Sequence, residues 1–239
     1  SYNQVVGSAN ALQGNYNQLA GNLNGTIGSV NTVVGSSNGV VGNYNGVVGN
    51  LNNLTGSGNL VSGSVNTVSG NLNTIANGNY NTISGAQNVI NTGNLNGIIG
   101  TANYVQGSAN LVNGNTNALV GNYNTVGGNN NNVAGSANGV LGDCNNVVGN
   151  TNGVVGNSNS INGYSNEVNG SVNSVQGSTN VIAGNGNTAI GYTNSILGTA
   201  NTAIGNTNTL SGALNSVLGN NNAAIGVANT IVGNNNLAA

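Results

Sequence analysis

Residues 28–42 read GSVNTVVGSSNGVVG, which is two copies of a seven-residue unit followed by the glycine of a third. In each unit asparagine follows glycine by three residues, and an aliphatic residue follows asparagine by two. This rhythm runs from Gly7 to Gly233, and every glycine in register has its asparagine. The aliphatic position is looser and accepts Thr26 or Ala189. We infer that the fold requires the asparagine, whereas the aliphatic position needs only a small side chain with apolar surface.

This heptad does not favour a coiled coil, which needs two apolar positions in seven and charged flanking residues. Glycine in a helix also costs about 1 kcal/mol relative to alanine. The repeat instead predicts a short strand followed by a tight corner. Asparagine and the aliphatic residue lie two apart, so a strand points both to the same side. Glycine then occupies the corner, where it adopts positive φ freely.

Two irregular heptads indicate how many sides each coil has. One extra residue lies between Gly70 and Gly78, and another between Gly85 and Gly93. A two-sided coil places both insertions on the same side of adjacent coils, whereas a three-sided coil separates them. We therefore predict an all-β fold, a two-sided β-solenoid (β-roll) in which two heptads make one coil. The predicted domain is a single uninterrupted array over residues 1–239, with insertions near 71–78 and 85–93.

Stacked coils at about 4.8 Å place each asparagine over its equivalent in the next coil. The amide has two donors and an acceptor, so we expect hydrogen bonds along the ladder and to the backbone of the same turn. Valine, isoleucine and leucine would fill the remaining core. The predicted structural ladder consists of Asn10, Asn24, Asn38, Asn52, Asn66, Asn81, Asn96, Asn110, Asn124, Asn138, Asn152, Asn166, Asn180, Asn194, Asn208, Asn222 and Asn236.

The composition argues against several classes of function. The chain has no Lys, Arg or His and two acidic residues, so it has no cation to hold nucleic acid or an anionic membrane. Its apolar runs fall far short of the roughly 20 residues that span a bilayer. Asp143 and Glu167 are expected on opposite sides of the solenoid, and Cys144 has no histidine to activate it. We predict no enzymatic activity, no cofactor and no metal site.

Cys144 and the tyrosines leave alternatives open. Cys144 is either a tolerated small turn residue or a crosslink between chains in an oxidising compartment. The tyrosines are expected in two groups, either as turn residues or as aromatic contacts and crosslinks that reinforce a fibre. One edge of the solenoid would carry Tyr2, Tyr16 and Tyr44, and the other Tyr80 and Tyr123.

The pattern x-x-N-x-V-x-G, in stretches such as NTVVG at 31–35 and NTVSG at 66–70, closely resembles the repeats of ryegrass ice-recrystallisation-inhibition (antifreeze) proteins. This resemblance implies a left-handed β-roll with an internal asparagine ladder, a valine core and a flat ice-binding face. This chain is much longer than the proteins of that family, and it lacks the scattered charged residues that they carry. NTAIG at 187–191 bears a weaker resemblance to the heads of trimeric autotransporter adhesins, and G-x-x-N-x-A to curli repeats.

The residues flanking the aliphatic position are predicted to point outward and form two flat faces. One stretch near the C-terminus combines hydroxyl groups with aliphatic side chains, which suits ice or a lateral contact, although β-propensity alone also favours these residue types. This candidate ice-binding or lateral-contact face consists of Thr188, Ile190, Thr202, Ile204, Ser216, Leu218, Thr230 and Val232.

Two functional hypotheses follow. The leading one is a non-catalytic structural protein that assembles with itself, end to end or laterally, into an extracellular fibre or surface coat. Exposed apolar faces, a nearly uncharged surface and open strand edges all favour association. The alternative, supported by the family resemblance, is an extracellular ice-binding protein that inhibits ice recrystallisation through a flat threonine and aliphatic face.

Overall fold

The computed structural model describes residues 2–239, and this range contains strands and turns but no helix. The all-β prediction is therefore confirmed. The chain divides into two compact units, Ser1–Asn122 and Tyr123–Ala239. Each unit is built from short strands separated by glycine corners.

The first unit contains β1 Gln4–Val6, β2 Ala11–Gln13, β3 Gln18–Ala20, β4 Gly25–Ile27, β5 Thr32–Val34, β6 Gly39–Val41, β7 Gly46–Val48, β8 Asn53–Thr55, β9 Leu60–Ser62, β10 Thr67–Ser69, β11 Thr74–Ile75, β12 Thr82–Ala86, β13 Val89–Thr92, β14 Gly97–Thr101, β15 Tyr104–Gln106, β16 Leu111–Asn113 and β17 Ala118–Val120.

The second unit contains β18 Thr125–Gly127, β19 Asn132–Ala134, β20 Gly139–Leu141, β21 Asn146–Asn150, β22 Gly153–Val155, β23 Ser160–Tyr164, β24 Glu167–Asn169, β25 Ser174–Ser178, β26 Val181–Asn185, β27 Thr188–Tyr192, β28 Ser195–Thr199, β29 Thr202–Ile204, β30 Thr209–Ala213, β31 Ser216–Leu218, β32 Ala223–Val227, β33 Thr230–Val232 and β34 Leu237–Ala238.

Within each unit the strands alternate between two parallel sheets. Each strand pairs with the strand two further along the chain, as β5 does with β7, where Thr32 lies beside Gly46. In the second unit β27 pairs with β29 in the same way, and Thr188 lies beside Thr202. Paired residues are thus two heptads apart, which confirms the two-sided coil. We call the outward sides of the two sheets the odd face and the even face, after the numbers of their strands.

The two inserted residues lie on the same side of adjacent coils, as the sequence predicts. Thr74 in β11 pairs with Val89 in β13, a separation one residue longer than two heptads. The pairing of β13 with β15 shifts register between Ile90 and Thr92. Both irregularities therefore lie on the odd side of the first unit, where one bulge stacks on the other.

The core of each unit is thin and consists of two kinds of column. The central residue of almost every strand is buried, as are Val33 and Leu54 with no exposed surface. The asparagine that precedes each strand from β3 to β32 is buried beside it, as Asn31 and Asn52 show. Flanking residues such as Thr32 remain exposed, which confirms that they point outward. The strictly repeated asparagines and the looser aliphatic residues therefore both point inward.

The corners differ from the sequence prediction in one respect. Corner glycines such as Gly28 have positive φ as expected, but the second residue after each corner glycine also has positive φ, even when it is not glycine. Leu23 and Val30, at +59° and +61°, are examples of a conformation that bulky residues rarely adopt. The neighbouring coil stabilises it, because the Leu23 N–H donates to the Ser8 carbonyl at 3.0 Å.

Candidate functional site

The buried asparagines form a continuous hydrogen-bonded ladder within each unit. Asn24 Nδ2 donates to Asn10 Oδ1 at 3.1 Å and to the Gly35 carbonyl at 2.8 Å. Asn24 Oδ1 in turn accepts the backbone N–H and the Nδ2 of Asn38, at 3.1 and 3.0 Å. Both donors and the acceptor of the amide are thus used, which explains why the position accepts no other residue. The predicted asparagine ladder is confirmed.

The backbone partner of each ladder amide differs from the prediction. The sequence predicts that Asn24 binds the backbone of its own turn, which contains Gly21, but its amide binds the Gly35 carbonyl in the turn of the next coil. Parallel stacking places that carbonyl over the amide. The ladder therefore joins successive coils twice, through side chains and through the corner.

A second polar column lies at the corners and was not predicted. Its members follow the corner glycine directly and are mostly asparagine or serine. The Ser29 N–H donates to Asn43 Oδ1 at 2.8 Å, and the Asn129 N–H donates to Asp143 Oδ1 at 2.6 Å. This outer ladder lies at the surface and satisfies backbone donors at the corners. The repeated Asn or Ser after glycine was the sequence signal that could have revealed it.

The candidate face lies on the odd face of the second unit. Register pairs Thr188 with Thr202, Thr202 with Ser216, and Ser216 with Thr230, on β27, β29, β31 and β33. The structure therefore brings all eight predicted residues together in two adjacent rows. The hydroxyl row comes first along each strand and the aliphatic row second.

The spacing within this face follows from strand geometry. Neighbouring strands lie about 4.8 Å apart, and residues two apart along a strand are separated by about 6.6 Å. Ile190 and Ile204 are 39% and 37% exposed, and Val232 is 74% exposed. Within the described residues, the side-chain hydroxyls of Thr188 and Thr202 form no hydrogen bond with the protein, so they remain available to water.

The odd face of the first unit lacks this regularity. Its first outward positions include Gln4, Gln18, Thr32, Gly46 and Leu60 on β1, β3, β5, β7 and β9. A single row thus contains amide side chains, a hydroxyl, a glycine without a side chain and a branched aliphatic residue. The stacked bulges of β11 and β13 interrupt it further.

A smaller hydroxyl array on the even face of the first unit was missed. Strands β8, β10 and β12 pair in register, so that Thr67 lies beside Thr82 and Ser69 lies between Thr55 and Ser84. All five side chains are exposed. Aligning the sequence at intervals of two heptads, with allowance for the insertion, would have revealed this patch.

The ionisable side chains do not converge. Asp143 lies in the corner after β20, and Glu167 begins β24 on the even face, with β22 between them. The prediction that they occupy opposite sides is thus wrong for Asp143, because a residue directly after the corner glycine lies at an edge. Cys144 is exposed and free. Residues 2–239 contain no group of three His, Cys, Asp or Glu that could hold a metal ion.

The parallel sheets and buried amides define the chain as an asparagine-ladder β-solenoid. Residues 54–149 match the family described as grass antifreeze beta roll. The resemblance to the ryegrass-type ice-recrystallisation-inhibition repeats is therefore confirmed. The match includes the hydroxyl patch from Thr55 to Ser84, while the candidate face from Thr188 to Val232 lies beyond it. No curated protein matches the chain. Nowhere in residues 2–239 is there a helix long and apolar enough to cross a membrane.

Proposed function

We propose that this protein binds ice outside the cell, without catalysis, and inhibits ice recrystallisation through the odd face of β27, β29, β31 and β33. The observation that carries this proposal is the register of eight outward residues in two rows, one of Thr and Ser and one of Ile, Leu and Val. The match of residues 54–149 to an antifreeze family supports ice as the ligand.

The face suits an ordered solid better than a small molecule. Its hydroxyls have no partner among the described residues and can each bind a water molecule, while the neighbouring aliphatic side chains restrict water without binding it. Backbone ladders and the asparagine ladder hold the rows at fixed spacing. A repeated lattice of water can therefore meet the same chemical group at each coil.

The test is an ice-recrystallisation assay on Thr202→Tyr. The large ring would stand out from the centre of the hydroxyl row and prevent flat contact with ice. We therefore expect activity to fall by about tenfold or more, which corresponds to a loss of binding free energy on the order of 1.4 kcal/mol. Thr32→Tyr on the odd face of the first unit is the matched control and should retain activity. Circular dichroism should show both variants folded.

The outcomes separate the proposal from its alternatives. An inactive wild-type protein would refute ice binding. Equal activity of Thr202→Tyr and wild type would refute the assignment of this face. Loss on Thr82→Tyr instead of Thr202→Tyr would move the ice contact to the even face of the first unit.

Self-assembly into a fibre or coat stays a prediction. Large apolar side chains at exposed positions favour it, including Leu218 at 51% and Leu237 at 73% exposure. The odd face of β27, β29, β31 and β33 could then serve as a lateral contact between copies of the chain. Electron micrographs at low micromolar concentration that show only isolated particles of single-chain length would contradict this hypothesis.

A further inference from the structure

The tripeptide Tyr-Asn-Gln occurs twice, two heptads apart, at 2–4 and 16–18. Pairing of β1 with β3 places Gln4 beside Gln18. The rings of Tyr2 and Tyr16 lie one above the other, with centroids 5.7 Å apart and planes inclined by 33°. Two aromatic rings and two primary amides therefore form a pair of matching columns on adjacent coils.

These side chains line a cavity of about 520 Å³ together with Asn3. The tyrosines are 78% and 58% exposed, and both glutamines are exposed. Within the described part of the chain, the two phenol groups and the two glutamine side-chain amides form no hydrogen bond. The amide of Asn17, by contrast, is used by the ladder. The cavity thus presents unused donors and acceptors beside aromatic surface.

We propose that this cavity binds a neutral oligosaccharide. An aromatic face packs against the apolar C–H face of a sugar ring, and the amide of glutamine can donate to one hydroxyl and accept from another. The volume lies within the range of about 300 to 1,000 Å³ that is typical of small-ligand sites. This site is separate from the proposed ice-binding face and does not depend on it.

Charge narrows the class of ligand. The whole chain has no Lys, Arg or His, so no side-chain cation is available to pair with a phosphate, a sulfate or a uronic acid. A nucleotide would bring its phosphate charge to a site that cannot neutralise it. A neutral sugar has no such requirement, because hydroxyl groups match the donor and acceptor groups of Gln4 and Gln18.

The chain supplies a matched control on the same edge. Tyr44 is 68% exposed and its φ is +59°, compared with +58° for Tyr16. It is followed by Asn45 and Gly46, so it lacks the neighbouring glutamine. Removing the Tyr44 ring therefore deletes an exposed aromatic side chain from an equivalent corner without altering the cavity.

The experiment is calorimetric titration of the full chain with hexasaccharides of β-1,4-linked glucose, mannose and xylose. We expect saturable binding of at least one of them, with Kd on the order of 1 mM. Tyr16→Ala and Gln18→Ala should each weaken it by about tenfold, whereas Tyr44→Ala should leave it unchanged. Alanine occurs naturally at equivalent corners such as Ala109, so Tyr16→Ala should fold, which circular dichroism can verify.

Absence of saturable binding to all three sugars would overturn the proposal. An equal loss of binding in Tyr44→Ala and Tyr16→Ala would also overturn it, because the aromatic contact would then be non-specific. Ice-recrystallisation activity should be the same in Tyr16→Ala as in wild type. A failure of sugar binding is therefore distinguishable from a failure of ice binding.

Discussion

The inner asparagine ladder and the outer ladder at the corners repeat at the same interval, yet the inner ladder accepts only asparagine whereas the outer ladder accepts several residues. Asn31 faces inward, is buried, and uses its amide in hydrogen bonds to both neighbouring coils. Asn43, in the outer ladder, is exposed and alternates along its column with Ser29 and Ser57. Periodicity alone therefore does not require asparagine. The requirement comes from burial of an amide whose donors and acceptor all have partners.

The largest effect should come from replacing a corner glycine, and a glycine at an outward position of a strand serves as its control. Gly28 has φ of +129°, and an added Cβ would overlap the Gly42 carbonyl oxygen. Gly25, on the even face, has open space at that position and no positive φ. We expect Gly28→Ala to lose about 4 kcal/mol or more and Gly25→Ala to gain about 0.5 kcal/mol, measured by urea unfolding. Equal effects of the two substitutions on the unfolding free energy would show that the close approach of the coils at the corner does not require glycine.

A smaller effect is expected when an amide is removed from each ladder. Asn31→Ala leaves the Gly42 carbonyl and the Asn45 N–H without their partner inside the core. We expect a loss of about 3 kcal/mol in unfolding free energy. Asn43→Ala exposes its partner N–H to water and should cost about 0.5 kcal/mol. If both variants unfolded at the same urea concentration, the distinction between the ladders would be wrong.

The smallest effect should be a stabilisation. The hydroxyl of Thr26 is buried. Among the buried side-chain polar atoms of the described residues, it is the one that has no hydrogen-bond partner. Thr26→Val replaces it with a methyl group of similar shape, so we expect a gain of about 1 kcal/mol and a higher Tm. Thr32→Val, at an exposed position, should change stability by less than about 0.5 kcal/mol. A destabilised Thr26→Val would indicate a partner for that hydroxyl.

Much of the fold could be predicted because it depends on local properties of the chain. The two-residue separation of Asn31 and Val33 places both side chains inward, and the insertions before Gly78 and Gly93 indicate two sides per coil. The pairing of Thr188 with Thr202 could also be predicted, since they lie two heptads apart. That they form a functional face stays a prediction. The proposal that ice binds to these residues is supported by the family match and is to be tested by the Thr202→Tyr experiment.

Other features could not be read from the repeat. Positive φ at Leu23 and Val30 is unfavourable for the residue alone and becomes stable only through backbone hydrogen bonds to the adjacent coil. The Gly35 carbonyl, rather than Gly21, accepts the Asn24 amide for the same reason. Both depend on the relative position of stacked coils, which the seven-residue unit does not specify.

The order of the amino acids is enough to specify which side chains point inward, where the corners fall and how many heptads make a coil. These properties follow from the two-residue period of a strand and the conformational freedom of glycine. Stacking of the coils then sets which atoms meet, including those of the outer ladder and of the cavity beside Tyr2 and Tyr16. Those contacts join residues that are distant along the chain, so they exist only in the folded protein.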